Sequence, residues 1–213
     1  MSQIKDPKYY ANSRADLIKF VPDGPVRVLE IGCGMGATGA QIKRRRGPGT
    51  IVVGVELFPD AAEKAHEVLD SVLTGDVEKI DLPFEKGYFD CIIYGDVLEH
   101  LIDPWRVLER HKELLKPGGI VIASIPNAAH YRIVRMLKHK EWNYQSSGIM
   151  DVTHLRFFTI KNIYGMFERE GLRITTVEHI ISASNIKKFL NKILFNALID
   201  DITEQYIVVA RKP

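Results

Sequence analysis

The stretch Val28-Leu-Glu-Ile-Gly-Cys-Gly-Met-Gly-Ala-Thr-Gly39 decides the fold. An aliphatic run is punctuated by one acid, glycines then recur at every second position, and the chain takes on helical character. The pattern predicts a first strand that delivers the backbone into a tight loop lying against a nucleotide. Gly32, Gly34 and Gly36 carry no Cβ, so the main chain there is free to take unusual dihedrals and to touch a ligand.

Outward from this loop, short apolar runs alternate with amphipathic stretches. Residues 26–31, 51–56, 71–76, 89–95 and 120–125 read as strands, several too continuously apolar to be half exposed. Residues 39–46, 59–69 and 104–115 read as helices, with Pro59 and Pro104 in first-turn positions and Asp103 as a cap. Pro117-Gly118-Gly119 then stops the third helix. Strand–helix alternation of this kind implies an α/β fold, a parallel sheet with helices on both faces.

After residue 125 the rhythm changes. Residues 126–158 are polar, aromatic and basic, long for a plain connection, and are expected to hold a helix and part of a cover over the substrate. A helix over 159–170 ended by Gly171 follows, and 172–180 and 206–211 read as closing strands. Between them, 186–200 places Ile186, Phe189, Leu190, Ile193, Leu194, Ala197 and Leu198 on one side of a helix. A strand follows at once, which favours core or dimer packing of this stripe over membrane contact.

The 213 residues suit one domain, 1–213, with 1–24 as an N-terminal helix or lid. The 29 basic and 27 acidic residues nearly cancel, so no global field recruits nucleic acid or an anionic membrane. The basic runs 43–46 and 138–140 read as solvated helix ends. Cys33 and Cys91 do not resemble a disulfide framework, and no Cys/His set has zinc spacing, so no metal is expected. With no secretory core at the N-terminus and no stretch of membrane-spanning length, a cytoplasmic protein is expected, a monomer or a homodimer.

A glycine turn after a first strand serves both dinucleotides and methyl donors, and residues 34–39 satisfy the dinucleotide spacing. Three acids discriminate. Glu30 precedes the glycines, where a carboxylate repels a pyrophosphate but attracts the ammonium of a methionine moiety. Glu56 ends the second strand and is placed to accept both hydroxyls of a ribose. Asp76 ends the third and is placed to accept from an adenine amino group. Carboxylates at successive strand ends around one glycine turn define one crevice. Its ligand is cationic at one end and carries ribose and adenine at the other, which suits S-adenosylmethionine better than a nicotinamide dinucleotide.

At these residues the chain resembles the class I S-adenosylmethionine-dependent methyltransferases over nearly its whole length. Glu-x-Gly-x-Gly-x-Gly at 30–36, Glu56, Gly75-Asp76-Val77 and Leu115-Lys-Pro-Gly-Gly119 all match. Gly95-Asp-Val-Leu-Glu-His-Leu-Ile-Asp-Pro-Trp105, Ser124-Ile-Pro-Asn127, Asp151-Val-Thr-His-Leu-Arg-Phe-Phe-Thr159 and Tyr9-Tyr10-Ala-Asn-Ser-Arg14 are similar to a bacterial subgroup associated with glycosyltransferases and polysaccharide synthesis. The resemblance implies a Rossmann-like, mostly parallel sheet of seven strands with the last antiparallel. It also implies S-adenosylmethionine as cofactor, S-adenosylhomocysteine as product, and Leu57 and Val77 beside the acids in the cofactor site. Asp96 is expected to face the methionine part and the methyl group, with Val97 and Leu98 as an apolar wall.

Methyl transfer from a sulfonium is an in-line displacement that mainly demands alignment. A hydroxyl acceptor benefits from a base, and histidine suits that role near neutral pH. His66, His111, His139 and His179 lie in segments directed away from the crevice. His100 reaches the substrate mouth or caps the next element, while His130 and His154 lie in the covering insert. His154, packed with Asp151 and Arg156 before Phe157-Phe158, is the candidate base; the alternative is a turn histidine bonded to Asp151 or backbone. Tyr9, Tyr10 and Arg14 form either a lid, with Arg14 meeting an anion, or ordinary terminal packing. Arg132, Arg135 and Arg156 would favour an acidic substrate if they converge. Asn127 completes the substrate-side set.

The leading expectation is transfer of a methyl group to oxygen on a small molecule, a sugar or envelope precursor. A nicotinamide oxidoreductase leaves Glu30 and Asp76 without a role. Base-amine methylation of nucleic acid uses an Asn/Asp-Pro-Pro-aromatic motif, from which Gly95-Asp96-Val97-Leu98 departs; RNA methylation at other site types stays open. So does a cofactor-binding scaffold without turnover, since a glycine loop argues for binding and not for chemistry.

Overall fold

A computed structural model describes residues 13–181, 191–193 and 196–213. Seven strands form one sheet among these residues: β1 (Arg27–Ile31), β2 (Ile51–Glu56), β3 (Ser71–Thr74), β4 (Phe89–Gly95), β5 (Leu115–Pro126), β6 (Arg173–Ile181) and β7 (Thr203–Arg211), in the order β3-β2-β1-β4-β5-β7-β6. β1 pairs in parallel with β2 and β4, placing Leu29 beside Val53 and Ile92. β7 runs antiparallel to both β5 and β6. The chain order reverses between β1 and β4, which opens a crevice at the carboxyl ends of those strands.

Helices follow the strands: α1 (Ala15–Ile18), α2 (Ala37–Arg46), α3 (Pro59–His66), α4 (Pro104–Lys112), α5 (Tyr131–Lys138), α6 (Ile160–Arg169) and α7 (Ile199–Ile202), with a 3-10 turn over Leu98–His100. Alternate residues of each strand feed opposite faces of the sheet. Leu29, Val53, Ile92, Val121 and Val208 enter one buried cluster. Val28, Val52, Cys91, Ile122 and Ile207 enter the other. A sheet covered on both sides explains why its central strands are apolar at consecutive positions.

The seven expected strands and the helices expected over 39–46, 59–69, 104–115 and 159–170 are present with adjusted ends. α4 stops at Lys112, and Leu115 already pairs with Phe89 before a register shift after which Ile120 pairs with Cys91. Pro117-Gly118-Gly119 is therefore an excursion within β5 and not a helix stop. A Cβ on Gly119 would sit 2.9 Å from the Lys116 carbonyl oxygen and 3.1 Å from that of Asp90, so the excursion needs glycine there. β3 ends at Thr74, leaving Asp76 in the loop beyond it. Asp103 caps α4 by accepting from the Arg106 amide at 3.0 Å.

Residues 126–158 contain α5 and end in a turn bridged back at Asn127–Phe158. Tyr9 and Tyr10 lie outside the described residues, as do most of the positions expected to form the 186–200 stripe. Of the stripe residues described, Ile193 and Leu198 are exposed.

Candidate active site

A cavity of about 790 Å³ opens at the carboxyl ends of β1, β2 and β4. That volume accommodates a nucleoside-sized ligand with room for a second small molecule. Its floor is the glycine loop. Gly32 and Gly36 hold φ of +69° and +78°, a region other residues rarely enter. A Cβ on Gly32 would lie 2.7 Å from Val97 Cγ2, so glycine also lets the turn after β4 pack directly against the loop after β1.

Glu56, buried at the end of β2, accepts from the amides of Gly34 at 2.8 Å and Phe58 at 3.0 Å. Its carboxylate fixes the glycine loop, and each oxygen keeps lone pairs for a ligand hydroxyl. Glu30 is 5% exposed, and its Oε2 has no hydrogen-bond partner among the described residues. Burial pushes its carboxyl up to about 8; Thr38 and the Gly39 amide oppose the shift and Glu56 adds to it. Glu30 lines the cavity with an acid that has no cationic partner among the described residues, and the ammonium of S-adenosylmethionine would supply one. The residues present thus fit that cofactor.

Asp76 accepts from the Glu78 amide at 3.0 Å and pairs with Lys79 at 2.7 Å, which holds its carboxyl below the ordinary range. Leu57, Phe58, Val77, Leu101 and Ile102 give this end of the cavity apolar walls. Asp96 and Val97 also line the cavity, Val97 against the glycine loop. Asp96 sits at φ +59°, an unusual position that Asp tolerates better than most residues. Its side chain is held from two directions, by Arg14 and by Gln205 of β7. Arg14 also bonds Asp16 and, at 2.9 Å, Ser124 Oγ. The anion that Arg14 meets is therefore the protein's own Asp96 and Asp16, and its guanidinium forms part of the cavity wall.

On the substrate side the expected residues separate. His100 lines the cavity, together with Val152, Thr153 and Leu155 of the insert. Asn127 does not; it is fully buried and ties α7 to β7, donating to the carbonyls of Asp200 and Thr203 at 2.7 and 2.8 Å. His130 is fully buried, caps α5 by accepting from the Arg132 amide, and lies against the Tyr131 ring. Arg156 donates from Nε and Nη2 to the Ile102 carbonyl and stacks over Trp105, away from the cavity lining. Arg132 stacks on Tyr131, so these arginines do not converge on the cavity. Asp151 shapes the turn, accepting at Oδ1 from the Thr153 amide and hydroxyl.

His154 is 8% exposed, and its Nδ1 lies 2.9 Å from the Ile149 carbonyl. Its ring packs edge-on against His100 with centroids 4.7 Å apart. Of the histidines expected to point elsewhere, His111 is buried against the Tyr94 hydroxyl, its pKa lowered to about 4 by burial. Sequence reasoning gave no role to Glu99, which is 1% exposed and neighbours both His100 and His154. Its signal was present as the acid beside His100 in the motif after β4.

Comparison with known proteins identifies the family. A family model described as "Methyltransferase domain" matches residues 5–177. The chain belongs to that methyltransferase family. It is 30% identical over 163 residues to the ubiquinone biosynthesis O-methyltransferase of Cereibacter sphaeroides, covering 74% of this chain and 64% of that protein. The chain thus spans just under two thirds of that relative's length. A SAM-dependent methyltransferase from Archaeoglobus fulgidus superposes with a TM-score of 0.69 at 19% identity, covering 97% of this chain and 95% of that one. The 4+2 cyclase SpnF superposes with a TM-score of 0.63 at 18% identity, covering 97% and 81%. These likenesses show the methyltransferase fold, which has seven strands and an antiparallel β7 here as expected. Among the described residues, no helix is long and apolar enough to cross a membrane.

Proposed function

We propose that this chain uses S-adenosylmethionine to methylate a hydroxyl oxygen on a small molecule, a sugar or cell-envelope precursor. The observation that carries the cofactor half is Glu30: a buried acid in the cavity lining with one oxygen lacking a hydrogen-bond partner among the described residues, one strand away from a carboxylate that organises the glycine loop. The bound cofactor supplies an activated methyl group, so the protein's task is alignment and exclusion of water. The Gly32–Gly36 backbone and Glu56 hold the nucleoside end, while Glu30 faces the ammonium. The Asp96–Arg14 pair, with Val97, walls the end where the methyl group meets the acceptor. Val152, Thr153 and Leu155 of the insert also line the cavity, which supports a covering role for that segment. A relative named as an O-methyltransferase supports oxygen as the nucleophile atom. The acceptor class rests on the motif resemblance alone.

The test is incubation of the purified protein with S-adenosylmethionine and a panel of sugars, nucleotide sugars and phenols, with detection of S-adenosylhomocysteine. Acceptor-dependent product supports the reading. A second reading, a cofactor-binding protein that methylates nothing, draws on the shared fold of the cyclase. It is favoured by micromolar cofactor affinity with no product from any acceptor.

A further inference from the structure

The turn after β4 and the turn ending the insert meet at one point beside the cavity. The amides of Leu155 and Arg156 both donate to the Glu99 carbonyl, at 2.8 and 2.9 Å. Asp151 tightens the turn in between through its bonds to Thr153. The result brings one ligating atom from each of Glu99, His100 and His154 to within 4.8 Å of one another. Glu99 and His154 are buried, and His100 lies in the cavity lining.

We propose that Glu99, His100 and His154 form a binding site for one divalent transition-metal ion, whose remaining coordination positions face the acceptor end of the cavity. The hydrogen bonds of the two rings support it. His100 Nδ1 is 3.1 Å from the Thr153 carbonyl and His154 Nδ1 is 2.9 Å from the Ile149 carbonyl. A carbonyl only accepts, so each Nδ1 carries a proton, and in the neutral ring Nε2 is the nitrogen able to ligate. Ligating histidines are held in this manner, by a backbone carbonyl on the ring nitrogen that does not bind metal. Two imidazoles and one carboxylate thus converge at the edge of the cavity, a donor set suited to a divalent cation. Three protein ligands of this composition, with open positions, match catalytic zinc and related sites. Ligands about 2.0–2.2 Å from a tetrahedral ion stand about 3.3–3.6 Å apart, so closure requires movement of about 1 Å, within the reach of a glutamate side chain.

The role assigned to the ion rests on the methyltransferase reading; its binding does not. As a Lewis acid it lowers the pKa of an acceptor hydroxyl, whose proton passes to solvent. The oxygen then forms its bond to the methyl carbon as the carbon–sulfur bond breaks, the electron pair staying on sulfur. His154 acts here as a ligand and not as the free base expected from sequence. The acceptor class that follows is a hydroxyl compound able to place oxygen on the ion.

The experiment is calorimetric titration of chelator-stripped, tag-free protein with Zn²⁺, Mn²⁺ and Co²⁺ salts, alongside the visible spectrum of the Co²⁺ form. One equivalent bound at micromolar affinity or better is expected, weakened at least tenfold in Glu99→Gln, His100→Ala and His154→Ala, with a Co²⁺ ligand-field band in the wild type. S-adenosylmethionine affinity measured on each variant reports folding separately. Should a variant fail to fold, the wild-type Co²⁺ band decides alone. Absence of that band, or equal metal affinity in wild type and folded variants, overturns the site. Metal binding without any methyl transfer leaves the site standing and counts against the methyltransferase reading.

Discussion

At the glycine loop each part of the site is fixed by the strand that carries it: Glu30 lies in β1, Glu56 ends β2, and Asp96 follows β4. At the proposed acceptor end, His100 and His154 come from turns distant in the chain, joined by two amides on one carbonyl. The first arrangement is inherited from the sheet and is as rigid as the sheet. The second depends on a strap that the sheet does not hold, so its failure should leave the cofactor half intact. That difference makes the two ends separable by mutation.

The strongest break falls on the cofactor side. Glu56→Ala leaves the Gly34 and Phe58 amides without their acceptor, and hydrogen bonds to a charged group are each worth about 1.5–3 kcal/mol. S-adenosylmethionine affinity is expected to fall by about 100-fold or more by calorimetry. An affinity within threefold of wild type would mean that the loop is held without Glu56.

Glu30 yields the next effect. Its carboxyl is raised from an ordinary value of 4.5 to about 8, so the folded chain holds an extra proton between those values. Stability therefore falls as pH rises through that window and levels off above about 8. Glu30→Gln is expected to flatten this slope and to gain on the order of a few kcal/mol above pH 8, read from denaturant melts across pH. Cofactor binding at pH 7 should release a proton, giving heats that depend on the buffer and lose that dependence in the variant. Identical slopes in both proteins would show that Glu30 is ionised throughout.

On the acceptor side, Arg156→Ala removes the clamp on the Ile102 carbonyl and the stacking over Trp105. A loss of about 2 kcal/mol in stability is expected, with cofactor affinity changed less than twofold. A large loss of cofactor affinity would show that the strap and the cofactor site are one unit.

The same division governs what the sequence discloses. Glu30, Gly32, Gly34, Glu56 and Asp76 stand at or just past strand ends that apolar runs and turns make visible, and each lines the cavity. Beyond β5, periodicity no longer says which way a side chain faces. Asn127 and His130 carry polar groups suited to a substrate, yet they satisfy backbone groups around α5 and α7. Arg156 spends its donors on a carbonyl. Glu99, by contrast, sat in a legible motif, but only the folded turn shows that His154 returns to it. Linear spacing detects ligands on one element and passes over those joined by a long insert.

Gly148 offers the mildest and most selective probe of that strap. It holds φ +79°, and a Cβ there would meet no atom within 4 Å, so Gly148→Ala introduces backbone strain with no clash. The left-handed region costs a non-glycine residue about 1 kcal/mol. The Gly148 carbonyl accepts from the Asp151 amide at 3.1 Å, and the next residue supplies the carbonyl that holds His154 Nδ1. Strain here therefore reaches the Glu99–His100–His154 cluster before anything else in the cavity. Global stability should drop by about 1 kcal/mol, with cofactor affinity unchanged and acceptor-dependent turnover lowered a few-fold. Turnover equal to wild type would mean that the turn holds its histidine through Asp151 and Thr153 alone, which a Thr153→Val variant would then expose.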